Sequence, residues 1–173
     1  MRFLRTLAVV ACLVFLAGAV AAWAAGAAEL KVEKTKIGKV VANAKLHTLY
    51  MFRADKGTKS ACYGKCATFW PPLLTSGKPK AGPGIKASLL GTSKRKDGKL
   101  QVTYNRHPLY WFKFDSKAGQ TKGENIHAFG ADWYVVAPKG MKIEPKDAGG
   151  GGPTGPTGAG GPPPPPPPPP PYP

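Results

Sequence analysis

A nine-residue stretch that occurs twice constrains this chain more than any other feature of it. His47-Thr48-Leu49-Tyr50-Met51-Phe52-Arg53-Ala54-Asp55 returns as His107-Pro108-Leu109-Tyr110-Trp111-Phe112-Lys113-Phe114-Asp115. Five of the nine positions, His, Leu, Tyr, Phe and Asp, are identical at a constant offset of 60 residues, and a sixth is basic in both copies. Identity at a fixed offset marks an internal repeat, one supersecondary unit used twice. The strand period of two then decides which side chains share a face. Tyr50 and Phe52 point one way, matched by Tyr110 and Phe112. Leu49 and Met51 point the other way, matched by Leu109 and Trp111. Both faces are apolar, so each copy belongs in the middle of a sandwich, barrel or propeller-like sheet. The predicted fold is mainly β: a small, pseudo-twofold antiparallel domain of two tandem repeats.

Short strands separated by turns flank both copies, and no stretch has sustained helical periodicity. Lys39 to Ala42, the turn Asn43-Ala44-Lys45 and the first nonapeptide read as a hairpin. Leu100 to Tyr104 leads through Asn105-Arg106 into the second copy. Ser88 to Arg95 is expected to pair with Lys99 to Tyr104 across Asp97-Gly98, a residue pair suited to a type I′ turn. A last strand covers Trp133 to Ala137. Only Ala61 to Phe69 reads as a helical turn or two.

The 173 residues hold one domain and two tails. Residues 1–28 read as an export signal: Arg2 and Arg5, an apolar run from Leu7 to Val20, then small residues with several A-x-A frames. Cys12 fits a lipoprotein cleavage box poorly, because fewer than ten residues precede it and the apolar run continues past it. Residues 31–147 form the predicted domain, with repeats at about 37–75 and 88–140. Residues 148–173 form a Gly-rich spacer and a proline tail. That segment buries too little to offset its backbone entropy and is expected to be disordered. The ten prolines from Pro162 to Pro171 favour a polyproline II rod about 30 Å long. Such a rod spaces the domain from a surface or docks in an aromatic groove, and spacing is the more economical reading.

The formal net charge is +16. Such a balance favours anionic envelope components, whether lipid headgroups, acidic polysaccharide or extracellular nucleic acid. The lysines are scattered along the sequence and no RNA-binding signature occurs, which argues against specific nucleic-acid recognition. After signal cleavage no transmembrane span is expected. The chain is placed in the periplasm, on the cell surface or outside the cell.

Several motifs together resemble one family. Tyr50-x-Phe52-x-x-Asp55 and Tyr110-x-Phe112-x-x-Asp115 are similar to the Y-x-[FWY]-x-x-D motif of bacterial secreted-repeat lipoproteins. Cys62-x-x-x-Cys66-Ala67-x-x-Trp70-Pro71-Pro72-Leu73, Arg95-x-Asp97-Gly98, Gln101-Val102-Thr103-Tyr104 and Trp133-Tyr134-Val135-Val136 follow in the expected order, over about residues 37–140. The resemblance implies an exported or envelope-anchored protein of two repeats whose biochemical role is not established. Asn105-Arg106 departs from the pattern, standing where the family often has glycine. One of the two must therefore tolerate a glycine-like turn conformation.

Cys62 and Cys66, the only cysteines after residue 28, read as a disulfide closing a tight loop in an oxidising compartment. The sharper alternative is a copper or thiol-redox site, with Cys62, Cys66 and a histidine from His47, His107 or His127 as soft and imidazole ligands. His47 and His107, at equivalent strand starts, are also a candidate metal pair, though hydrogen bonding is the plainer role. Asp55 and Asp115 could form the acid and base of a glycosidase, but each precedes turn residues and reads better as an acceptor of backbone N–H groups there. With no G-x-S-x-G, H-E-x-x-H or phosphate-cradling loop, no enzymatic activity and no cofactor are expected. Tyr63 is the aromatic most available for stacking a sugar. The functional expectation is a non-catalytic, envelope-associated binding or surface-organising domain.

Overall fold

The computed structural model describes residues 26–143. Most of the segment read as an export signal, Cys12, and the Gly/Pro-rich tail lie outside the described residues. The chain runs β1 (Glu29–Thr35), β2 (Gly38–Asn43), β3 (Leu49–Phe52), helix α1 (Lys65–Phe69), β4 (Lys80–Ala81), a 3-10 turn (Ala87–Leu89), β5 (Leu90–Lys94), β6 (Leu100–Tyr104), β7 (His107–Pro108), β8 (Tyr110–Trp111), β9 (Ile126–Ala128) and β10 (Ala131–Val135). Three sheets result, with strand orders β2-β1-β4, β8-β3-β10-β9 and β5-β6-β7, and none closes into a barrel. All ladders are antiparallel except β1 with β4. Ala28, read as the last residue of the signal, is held in the fold. Its N–H donates to Thr75 Oγ1 at 3.0 Å and its carbonyl accepts from Lys80 N–H at 2.7 Å.

The hairpin expected between Lys39–Ala42 and the first nonapeptide is present only as one bridge, Ala42 to Thr48. It opens because a strand from the other repeat enters it. Val41 N–H donates to Val136 C=O at 2.8 Å, and Val136 N–H donates to Leu49 C=O at 3.0 Å. The second repeat is entered in the same way: Val102 N–H donates to Leu73 C=O at 2.8 Å and Leu73 N–H to Leu109 C=O at 2.8 Å. Each repeat thus lends its closing segment, Trp70 to Leu73 or Trp133 to Val136, to its counterpart. The exchange continues down the strands, with Lys113 N–H on Phe69 C=O at 2.9 Å and Arg53 N–H on Asp132 C=O at 3.0 Å. Backbone groups left unpaired in a buried fork would be costly, so neither fork closes without the other repeat.

The turns separate by geometry. Asp97-Gly98 does not form the expected type I′ turn, since only Gly98 has positive φ, at 80°. Gly98 N–H instead bonds Arg95 C=O at 3.0 Å, giving an ordinary turn that ends on a left-handed glycine. A two-residue turn with positive φ at both positions lies instead at Asn105 (47°) and Arg106 (67°), between paired Tyr104 and His107. Both residues therefore take the glycine-like conformation expected of one. Asn105 Nδ2 donates to Gly140 C=O at 2.9 Å, which fixes the residue type best able to adopt it.

The two faces of the repeated strands fill two cores, as their alternation predicts. Leu49, Met51 and Leu109 join Leu30, Val41, Val102, Tyr104 and Val136 in an aliphatic core, with Trp111 packed against it. Tyr50, Phe52, Tyr110 and Phe112 join Trp70, Trp133 and the two cysteines in an aromatic one. There the rings of Phe52, Trp133, Trp70 and Phe112 form a continuous stack, with centroids 4.1, 3.9 and 4.2 Å apart. Tyr50 meets Trp70 edge-on at 5.3 Å, and Tyr110 meets Trp133 edge-on at 5.1 Å. The pseudo-twofold axis passes between the two tryptophans. Gly123 lies against this stack, where a Cβ would come within 2.6 Å of Trp70 Cη2 and 2.9 Å of Tyr50 Cε1.

Two outcomes are expected. Because each repeat is completed by the other, denaturant unfolding should be one transition, coincident by tryptophan fluorescence and far-UV circular dichroism; two separated transitions would refute the exchange. Gly123→Ala should destabilise the domain by about 1–3 kcal/mol through overpacking against Trp70, read as a lower denaturation midpoint.

Candidate functional site

The repeat motif acts across the two repeats. In Y-x-F-x-x-D, Tyr and Phe share a face two residues apart, and the chain then turns tightly: Asp55 N–H bonds Phe52 C=O at 3.1 Å, and Asp115 N–H bonds Phe112 C=O at 3.0 Å. The turn brings each carboxylate back toward the tyrosine face, where it meets the tyrosine of the opposite repeat. Tyr50 donates its hydroxyl to Asp115 Oδ2 at 2.5 Å, and the Tyr110 hydroxyl lies 3.0 Å from Asp55 Oδ2. The remaining oxygens accept backbone N–H groups, Asp55 Oδ1 from Ala61 at 2.7 Å and Asp115 Oδ1 from Lys122 at 3.0 Å. The backbone bonds match the turn role expected from sequence; the tyrosines are the addition.

Burial pushes the Asp55 carboxyl up to about 6, against the lowering effect of the Ala61 N–H, the Tyr110 hydroxyl and Arg95. Asp115 is raised by burial in the same way, opposed first by its bond from Tyr50. Both tyrosine hydroxyls are pushed up, by burial first and then by the facing carboxylate. Each tyrosine therefore stays a donor to the carboxyl of the opposite repeat, which holds the repeats together. Each carboxylate thus holds one bond from the opposite repeat and one from its own turn.

Cys62 and Cys66 are joined as a disulfide, with Cα atoms 5.3 Å apart. The bridge fixes the loop that carries Ser60 and Ala61 to the Tyr110–Asp55 pair. Beneath it lies buried Arg95, whose Nη1 donates to Gln101 Oε1 at 2.6 Å and Ser60 Oγ at 2.8 Å, and whose Nη2 donates to Cys62 C=O at 2.7 Å. Gln101 Nε2 in turn donates to Leu109 C=O at 2.9 Å. Sequence reasoning gave Arg95 and Gln101 no role beyond marking motifs. The guanidinium also lies 4.3 Å from the Tyr63 ring centroid, so Tyr63 is not the open stacking face it was expected to be.

The histidines do not converge. His47 packs edge-on to Trp111 at 5.1 Å and lines a cavity of about 620 Å³ with Trp111, Pro72 and Leu73. His107 is half-buried and its protonation is disfavoured by burial and then by Arg53. His127 Nδ1 lies 2.6 Å from Asp132 at the surface. Among the described residues no three His, Cys, Asp or Glu side chains are grouped to hold a metal, so no histidine joins Cys62 and Cys66.

Lysines scattered in sequence are gathered by the fold. The loop after β8 folds back against the β1–β2 turn, with Gly119 at φ 71° beside Lys34 and Thr35, and Thr48 Oγ1 donates to Gln120 C=O at 2.6 Å. Lys36, Lys117 and Lys122 thereby line a concavity of about 460 Å³ with Gly119, Gln120 and Thr121. None of the three forms an ion pair among the described residues, where Arg95–Asp97 and His127–Asp132 are paired. Three ammonium groups around a concave backbone suit an anionic group.

A family described as a secreted repeat of unknown function matches the chain twice, over residues 31–74 and 91–137, together more than half of its length. The first match begins at β1, a strand the sequence reading left outside the repeat. No curated protein and no solved structure matches the chain.

The raised Asp55 carboxyl carries a pH signature. The folded state holds this proton more tightly than the unfolded chain, so its contribution is present at low pH and is lost as pH rises through about 6. Acidification from pH 7 to pH 5 should raise the stability of the parent protein relative to Asp55→Asn by about 1 kcal/mol. Parallel curves for the two proteins would show that Asp55 is not held this way.

Proposed function

The chain belongs to this family of secreted repeats, and from that premise we propose that it is an exported, non-catalytic domain that binds anionic components of the cell envelope. One observation carries the reading: the domain has few carboxylates left to offset its surface lysines. Asp55 and Asp115 are bonded to tyrosines and Glu124 accepts Val135 N–H at 2.6 Å, while Asp97 and Asp132 pair with Arg95 and His127 at the surface, which leaves Glu29 and Glu33 among the described acids. Most of the lysines are thus left facing outward without counter-charges, and the lysine concavity is where the fold concentrates them. Among the described residues no helix is long and apolar enough to cross a membrane. Contact with the envelope is then through this surface, and the Gly/Pro-rich tail serves as a spacer. The copper alternative draws no support from this geometry, because the two sulfurs are joined to each other and, among the described residues, no histidine is grouped with them.

Retention of the exported protein on cell-envelope fractions should fall steeply as salt rises, because exposed charges are screened beyond about 10 Å at 0.1 M. Retention indifferent to salt would rule out the electrostatic part of this proposal.

A further inference from the structure

Trp111 and His47 line a cleft that the pairing of the repeats does not use. Their rings meet edge-on at 5.1 Å and, with Pro72, wall the cavity of about 620 Å³, the size of a ligand pocket rather than a packing gap. Trp111 is half-buried, whereas Trp70 and Trp133 are fully covered. Nδ1 of His47 is buried and bonded to no described group, a costly state unless something enters the cleft to meet it. The other polar side chains of the cleft offer donors. Asn43 Oδ1 already accepts the Lys45 and His47 N–H groups, each at 3.0 Å, which leaves its amide nitrogen for a ligand. The Lys45 ammonium and the Trp111 indole N–H can only donate. Glu29 also lines the cavity, but its carboxylate lies beside Gly82, which does not.

A saccharide carries a donor at every hydroxyl and would need side-chain acceptors here. A run of prolines has no N–H and presents only carbonyl oxygens and apolar rings, which is what an aromatic cleft edged with donors can read. This chain carries such a run within reach. Trp111 pairs with Leu49, Leu49 C=O accepts Val136 N–H, and Val136 bridges Lys142. Three strand spacings, about 14 Å, therefore separate Trp111 from the end of the described domain. Residues 144–161 connect that end to Pro162. A Gly-rich segment of that length spans about 23 Å on average, and a tether matched to its span holds its cargo at an effective concentration of about a millimolar.

We propose that the cleft of Trp111 and His47 takes the polyproline run Pro162–Pro171 of the same chain, with Trp111 packing on proline rings and His47, Asn43 and Lys45 donating to their carbonyls. The inference is independent of the anionic-envelope reading. It gives the spacer a docked position besides the extended one.

The test compares the full chain with the variant Pro163→Gly, Pro165→Gly, Pro167→Gly, Pro169→Gly, which keeps the length of the tail and removes its rod. The ¹H–¹⁵N signal of the Trp111 indole should differ between the two, and a decaproline peptide added to the glycine variant should move it back toward the parent position. The peptide should bind the glycine variant about tenfold more tightly than the parent, whose own tail competes at its effective concentration. In the glycine background, Trp111→Leu should weaken peptide binding about tenfold or more. Lys45→Ala, at an exposed position that leaves the core untouched, should weaken it about fivefold. An indole signal identical in parent and glycine variant, no binding of decaproline to the glycine variant, or full binding by both the Trp111→Leu and Lys45→Ala variants would each overturn the proposal. Tail-dependent dimers in size-exclusion chromatography would assign the run to the cleft of a second copy and overturn the intrachain dock.

Discussion

The face-to-face contact of Trp70 with Trp133 is the constraint on which the rest of the structure depends. One ring comes from each repeat, their centroids are 3.9 Å apart, and the stack extends outward to Phe52 and Phe112 in alternation between repeats. To reach this contact, each closing strand must leave its own repeat and enter the fork of the other. Once there, Leu73 and Val136 complete backbone ladders that neither repeat completes alone. Stacked aromatic pairs contribute about 0.5–1.5 kcal/mol each beyond their burial. The larger effect is that the hydrophobic core and the hydrogen-bond ladder become inseparable from the pairing of repeats.

The tyrosine–aspartate bonds read as consequences of that pairing. Each carboxylate leaves the end of its own strand in a tight turn. Turned toward the opposite repeat, it finds a phenol that burial keeps protonated. The two ends then differ in their support. Asp55 is backed by the disulfide loop, Ser60 and Arg95, whereas Asp115 is backed by the glycine-rich loop through Lys122 and Gly123. Spending carboxylates inside the domain has an outward effect, because it leaves the exterior cationic. The architecture and the proposed partner are therefore linked through one charge distribution.

Much of this was legible in the sequence because it is local. The repeat offset and the alternation of Tyr50 and Phe52 against Leu49 and Met51 need no knowledge of distant partners. The turn bonds to Asp55 and Asp115 follow from the residues beside them. The exchange was not legible, since Val135-Val136 has the same pattern whether it pairs within its repeat or across to the other. Tyr50 and Tyr110 were assigned to the core, but the sequence does not say that a phenol meets a carboxylate 65 or 55 positions away. The Asp97-Gly98 and Asn105-Arg106 turns were told apart only by backbone angles, because residue preference favours Asp-Gly for a type I′ turn although Asn-Arg forms it here. Lysines spaced from 36 to 122 carry no sign of clustering until a loop folds back on a hairpin. β1 was missed because charged residues outnumber its apolar ones, and β9 because three residues are too few to show a period.

The most direct measurement is a double-mutant cycle between Trp70→Leu and Trp133→Leu, read from denaturant unfolding. Interlocked repeats predict a coupling energy of roughly 0.5–3 kcal/mol between the two sites, with the double variant less destabilised than the sum of the single ones. Additivity within about 0.5 kcal/mol would mean that the two tryptophans stabilise separate bodies, and would contradict the account.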